Sequence, residues 1–188
     1  TNCRENPMSA KLILQHVYQH EAEYPDRLYL TQPIGNAEVA EYSWGQVLDQ
    51  ARRMAAHLRS LDLPAGARMA MLAKNSAHFI IAELAIWMAG GTTVAIFPSE
   101  TAANIKYVLE HSEASILFVG KLDGWEQQKS GVPEGMPCIA LPLSPATDFE
   151  SWDAIIARTA PLLGQPQRAA DDLAILSYTS GSTGQPKG

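Results

Sequence analysis

The chain has 188 residues, 46% of them apolar and 18% charged, with a formal net charge of −6 and a pI of about 5.3. That length is one domain, or part of a larger one, at ~100–200 residues per domain. The composition excludes a disordered chain, because enough apolar surface can be buried to offset the entropy of ordering, and its 14 scattered Lys and Arg exclude a nucleic-acid partner.

The longest apolar stretch, residues 79–91, is interrupted by Glu83 and falls short of the ~20 residues that cross a bilayer. No transmembrane segment is expected. The opening TNCRENPMSAKL lacks the apolar core of a secretory signal. Two cysteines, Cys3 and Cys138, do not make a disulfide framework, so a cytoplasmic location is expected.

In chain order, Ser9 is placed to cap a helix running to residue 23, with Leu12, Val17 and Tyr18 inward. Two short alternating runs flank Ile34-Gly35-Asn36-Ala37 and predict a β-hairpin. Ser43 and Gln46 have capping-box spacing. The helix that follows carries Trp44, Val47, Leu48, Ala51, Ala55 and Leu58 on one face and ends near residues 63–66. A strand over 67–73 leads to a helix over 76–89, capped by Asn75 and ended by Gly90-Gly91. Next come a strand over 92–97, a helix over 101–111 with Ile105, Val108 and Leu109 inward, and a strand over 115–119. A short helix over 121–129, a strand over 138–141, a helix over 149–159 and a strand over 173–178 complete the pattern, with residues 133–145 as a loop-rich connection. Strands separated by helices predict an α/β fold: a parallel-type sheet flanked by helices, with an N-terminal β-hairpin.

The last strand runs directly into Thr179-Ser180-Gly181-Ser182-Thr183-Gly184-Gln185-Pro186-Lys187-Gly188. Glycines let a ligand approach the backbone amides closely. Successive N–H groups and the hydroxyls of Thr179, Ser180, Ser182 and Thr183 are neutral donors suited to anionic oxygens. Lys187 adds a point charge, and Pro186 stiffens the turn before it. The segment reads as a phosphate cradle at the end of a parallel strand, where α/β sheets usually bind ligands. It is not a Walker A loop, since Lys187 sits between Pro186 and Gly188, and Gly181 and Gly184 do not fit a dinucleotide fingerprint.

Residues 178–188 resemble the signature of the adenylate-forming (AMP-binding) superfamily. Nine specified positions coincide by chance in about one window in 10¹⁰, at roughly one in fifteen per residue. Tyr42-Ser43-Trp44-Gly45-Gln46-Val47, the run Met69 to Asn75, and Met88-Ala89-Gly90-Gly91 with Val94 and Pro98 are similar to further family segments, so the resemblance covers residues 12–188. Peptide-synthetase domains typically show Ala-Tyr and then Pro-x-Asp after the Ala-Gly pair. Here Thr92-Thr93-Val94-Ala95-Ile96-Phe97-Pro98-Ser99 has neither the Tyr nor the Asp. The run from Ile105 to Asp123 looks most like bacterial long-chain fatty acyl-CoA synthetases, with Phe97 where many of those have Tyr.

The resemblance implies that residues 1–188 are the N-terminal portion of the large domain of such an enzyme. The remainder of that domain and the C-terminal lid, with the catalytic groups and the Mg²⁺-binding carboxylate, would follow Gly188, so the fragment alone is expected to be inactive. It implies an acid–thiol ligase using ATP and Mg²⁺, with a fatty acid and CoA as co-substrates. The carboxylate attacks the α-phosphorus, giving acyl-AMP and pyrophosphate, and the CoA thiol then takes the acyl group and releases AMP. Thr179, Ser180, Gly181, Ser182, Thr183, Gly184 and Lys187 would hold the β- and γ-phosphates. Peripheral membrane contact of the intact enzyme stays open. So do an aryl acid–CoA ligase, a peptide-synthetase adenylation domain and, for this length of chain alone, a non-catalytic binding module.

Other residues carry less. His16 and His20 are one helical turn apart but lack the Glu of a metalloprotease motif, so a solvated face is expected. His111 is placed to interact with a helix C-terminus, and His78 is expected at the surface or partly buried. Trp44, Trp87, Trp125 and Trp152 read as packing residues, Asp171 and Asp172 as a polar start to the last strand, and Cys3 and Cys138 as unreactive thiols.

Overall fold

The computed structural model describes residues 11–180 and 186–188. Helix α1 (Ile13–Glu23) leads into a hairpin of β1 (Leu28–Gly35) and β2 (Glu38–Ser43). Then follow α2 (Trp44–Arg59), β3 (Arg68–Leu72), α3 (Ala77–Met88), β4 (Thr92–Ile96), α4 (Ala102–His111) and β5 (Ile116–Val119). The rest is α5 (Trp125–Gln128) with a 3₁₀ turn (Lys129–Gly131), β6 (Cys138–Ala140), β7 (Glu150–Ser151), α6 (Trp152–Arg158), β8 (Ile175–Ser177), β9 (Thr179–Ser180) and β10 (Pro186–Lys187).

Six strands form one parallel sheet in the order β7-β6-β5-β3-β4-β8. The middle strands β3, β4 and β5 are covered on both faces, as a parallel sheet requires. Alternation along each strand divides the core in two. Met69 and Met71 of β3 and Ile116 and Phe118 of β5 face α1, α2, α3 and α6. Ala70, Leu72, Leu117 and Val119 face the opposite way, toward Ile105, Val108 and Leu109 of α4 and toward Trp125. The α/β class and the N-terminal hairpin agree with the sequence reading.

Local chemistry sets the element boundaries. Asn36 and Ala37 both take positive φ, 51° and 62°, which gives the hairpin turn the twist its strands need. Ser43 Oγ accepts from Gln46 N–H at 3.2 Å while Gln46 Oε1 accepts from Ser43 N–H at 2.8 Å, completing the capping box. Helix α3 is capped by Ser76 rather than Asn75: Ser76 Oγ accepts from Phe79 N–H. The first amide of α3 is also bound, because Ala77 N–H donates to Gln32 Oε1 of the hairpin at 2.9 Å. Ser9 lies outside the described residues, and α1 begins at Ile13 with Leu14, Val17 and Tyr18 buried and Leu12 only half-buried.

Two further boundaries depart from the sequence reading. The helix expected from residue 149 starts at Trp152, because Ser151 is extended and caps it, accepting from Ala154 N–H at 3.2 Å. That leaves Glu150 and Ser151 free to pair with β6 as β7. The short helix expected over 121–129 is confined to α5 and its 3₁₀ turn. There Gly131 lies so close to the start of α4 that a Cβ on it would sit 2.2 Å from the Ala102 carbonyl oxygen.

Candidate functional site

The segment before the last sheet strand is fastened to α3 and β4. The Arg168 guanidinium donates to the Gly91 carbonyl and to Asp172 Oδ2. Thr92 Oγ1 donates to the Leu173 carbonyl at 2.8 Å, and Trp87 Nε1 donates to the Ala174 carbonyl at 3.0 Å. Strand β8 then pairs with β4 over Thr93↔Ile175 to Ala95↔Ser177. It delivers the chain to the carboxyl edge of the sheet, the side on which parallel α/β sheets place ligands.

From there Tyr178 turns into the core, 5% exposed, and the chain continues as β9. β9 and β10 form an antiparallel ladder of two pairs, Thr179↔Lys187 and Ser180↔Pro186. The two legs of the loop are therefore held together, and the Thr179 and Lys187 side chains are both exposed. The sequence-predicted Gly181, Ser182, Thr183 and Gly184 lie outside the described residues, as does the side chain of Ser180. What the structure brings together is the base of the loop: Thr179, Lys187, Gly188 and, beneath them, Tyr178.

Sequence reasoning did not connect Tyr178 with His111. The Tyr178 hydroxyl lies 2.8 Å from His111 Nδ1, at the end of α4. The two rings meet edge to face, 5.8 Å apart, and Tyr107 stacks on His111 at 5.3 Å. His111 does fall in the last turn of α4, as expected, but its ring is committed to Tyr178. No spacing pattern links residues 67 positions apart in sequence. Burial pushes the Tyr178 hydroxyl above its ordinary pKa, so the group stays neutral.

The remaining candidates are ion-paired, exposed or packed. Asp172 Oδ2 accepts from Ala169 N–H and Arg168 Nε, each at 2.9 Å, and the Ala169 amide and then Arg168 hold its carboxyl below the usual range. It precedes β8, on the side opposite the loop. His16 is exposed, and His20 is half-buried with its ring 4.8 Å from Trp44. Trp44 itself stacks on Tyr29 at 3.6 Å. Burial pushes the Cys138 thiol up to about 11, which makes it a poor nucleophile. Cys3 lies outside the described residues.

His78 departs from the expectation of a surface or partly buried residue. It is 4% exposed, with Nε2 3.0 Å from Gln50 Oε1. The reason is its place on α3, which is buried on most of its circumference. Among the described residues no three His, Cys, Asp or Glu side chains are grouped to hold a metal ion. Among the same residues no helix is long and apolar enough to cross a membrane.

Residues 17–188 match the family described as AMP-binding enzyme. The chain belongs to that family. Among its relatives, a long-chain-fatty-acid–CoA ligase of Mycobacterium bovis is 28% identical over 184 residues, 92% of this chain and 30% of that protein. The N-(5-amino-5-carboxypentanoyl)-L-cysteinyl-D-valine synthase of Penicillium rubens is also 28% identical, over 177 residues, 93% of this chain and 4% of that one. The fold is similar to the crystal structure of the anthranilate CoA ligase AuaEII in complex with anthranoyl-AMP. There the TM-score is 0.79 at 20% identity, covering 92% of this chain and 33% of that one. The chain thus spans a third or less of each of these proteins.

Proposed function

We propose that the protein carrying this chain is an ATP-dependent acid–thiol ligase. It activates a fatty carboxylic acid as its acyl-AMP and passes the acyl group to CoA, and this chain is the N-terminal portion of its large domain. The observation that carries the reading is the Thr179–Lys187 ladder at the carboxyl edge of the sheet, in a chain of the AMP-binding family. The fatty-acid assignment draws on the run from Ile105 to Asp123 and on the likeness to the M. bovis ligase.

In this reading the loop between the paired legs takes the β- and γ-phosphates of ATP, the future pyrophosphate. Lys187, exposed at the mouth of the ladder, adds a charge-assisted contact, and the hydroxyls of Thr179, Ser180, Ser182 and Thr183 supply neutral donors. The protein's contribution is positioning and charge stabilisation as negative charge moves to the leaving pyrophosphate. These groups are donors and a cation. They fit phosphate oxygens; the hydroxyls, which also carry acceptor lone pairs, could face a phosphate-bound magnesium ion, but residues 179–188 include no carboxylate to hold one. The acid pocket and the groups that act on the acyl carbon are expected after Gly188.

The test uses the full-length protein with ATP, CoA and a panel of carboxylic acids. Palmitate or oleate should release pyrophosphate and form the thioester. Turnover only with amino acids or aryl acids would overturn the fatty-acid assignment. Lys187→Ala should slow acyl-AMP formation about tenfold, the scale of one partly screened charge-assisted bond. The same variant should leave thioester formation from supplied acyl-AMP nearly unchanged, since that step contains no β- or γ-phosphate. Equal slowing of both half-reactions would overturn the phosphate assignment.

A further inference from the structure

We infer that Tyr178 and His111 are a positioning couple that fixes the base of the phosphate loop against the second layer of helix. The inference rests on the reading of that loop given above. Tyr178 is the last buried residue before the loop, flanked by the exposed Ser177 and Thr179. On one side its ring belongs to the core that includes Ile105, Val108 and Leu109 of α4. On the other side it meets the chain leaving the loop: a Cβ on Gly188 would lie 2.8 Å from the Tyr178 Cζ. One side chain thus touches both the helix layer and the closing leg.

The geometry needs such an anchor. Strand β8 has three residues and pairs with β4 along one edge, and the β9–β10 ladder above it has only two pairs. Neither element by itself fixes the loop to the fraction of an ångström that aimed amide donors require. The ring supplies a floor for Gly188, and the hydroxyl sets where that floor lies, through the 2.8 Å contact with His111 Nδ1. His111 is in turn held by the Tyr107 ring, one helical turn earlier. Gly188 is the residue type this arrangement demands, because any side chain there would collide with the ring.

The experiment is calorimetric titration of the full-length protein with inorganic pyrophosphate and, separately, with ATP. It is run well below the unfolding temperature, with circular dichroism confirming that each variant is folded. Tyr178→Phe keeps the ring and removes the hydroxyl, so it should weaken both ligands about tenfold, the scale of one buried hydrogen bond. His111→Ala should do the same, and His111→Asn, which offers an amide near the position of Nδ1, should recover most of the loss. Because both changes break the same Tyr178–His111 contact, the losses in the double variant should fall well short of the sum of the singles. Gly188→Ala, which lifts the closing leg off the ring, should lose at least as much. Unchanged affinities in Tyr178→Phe and His111→Ala, or losses that add in the double variant, would overturn the couple while leaving the loop's role standing. A wild-type protein that binds neither pyrophosphate nor ATP would overturn the loop reading, and the couple with it.

Discussion

His78 shows how a single side chain becomes a property of the whole protein. Its ring is enclosed between the edges of Tyr42 and Trp152, at 5.4 and 5.6 Å. Gln50 Oε1 lies 3.0 Å from His78 Nε2 and accepts from Trp152 Nε1 at 3.0 Å. One amide oxygen therefore joins α2, α3 and α6. Burial pushes the imidazole pKa down to about 4, against a smaller opposing effect of Asp153. The unfolded chain binds this proton near the ordinary value of 6.5, and the folded protein does not until about 4. Stability contributed by the neutral ring is thus full above pH 6.5 and is lost progressively as pH falls from there to 4. Between pH 7 and 5 the expected loss is about 2 kcal/mol. Urea unfolding across that range should show it, and His78→Gln should flatten the dependence. A wild-type profile as flat as the variant's would contradict the burial argument.

Elements in this fold are set by small polar and small apolar residues at their ends. Ser43, Ser76, Thr101 and Ser151 each accept from the amide three residues on, so four helices start on a hydroxyl. The strand ends depend instead on the absence of side chains. Gly120, after β5, lies against the residue that follows β3, and a Cβ on it would sit 2.6 Å from Ala73 Cβ. Gly120→Ala should therefore cost about 1–3 kcal/mol through overpacking. Ala73→Gly in the same chain should return most of that loss in urea melts, and a double variant no better than Gly120→Ala would refute the contact. Hydroxyl caps at Ser43 and the Asn36 turn were legible in the sequence because their signals are local. At Asn75-Ser76 two cap-forming residues stand side by side, and the choice went to Ser76, whose hydroxyl reaches the Phe79 amide. β7 left no readable pattern, because two residues carry no period. The Tyr178–His111 contact and the depth of His78 were also illegible, since each arises only when distant elements pack.

At the scale of the whole molecule the sheet is unevenly covered. Its middle strands are buried on both faces, whereas β8, at one edge, is largely exposed. Ile175 on that strand is 40% exposed and Leu173 just before it 50%, with Phe97 beyond the end of the neighbouring β4 at 58%. Among the described residues the far edge of β8 has no strand paired to it. An exposed apolar edge with free backbone donors and acceptors is a template for pairing with another chain. These 188 residues prepared alone are therefore expected to self-associate, with a mass by light scattering above the 20.4 kDa of one chain and rising with concentration. Placing charge on the edge, as Leu173→Lys with Ile175→Lys, should restore a monomer, because a row of ammonium groups repels a second copy and must be desolvated to pair. The fold itself should survive, since both positions are already exposed and β8 contributes little to either core. A monodisperse monomer of the unmodified chain would show that the exposed edge is not sticky. Association that the two lysines fail to relieve would place the contact elsewhere on the surface.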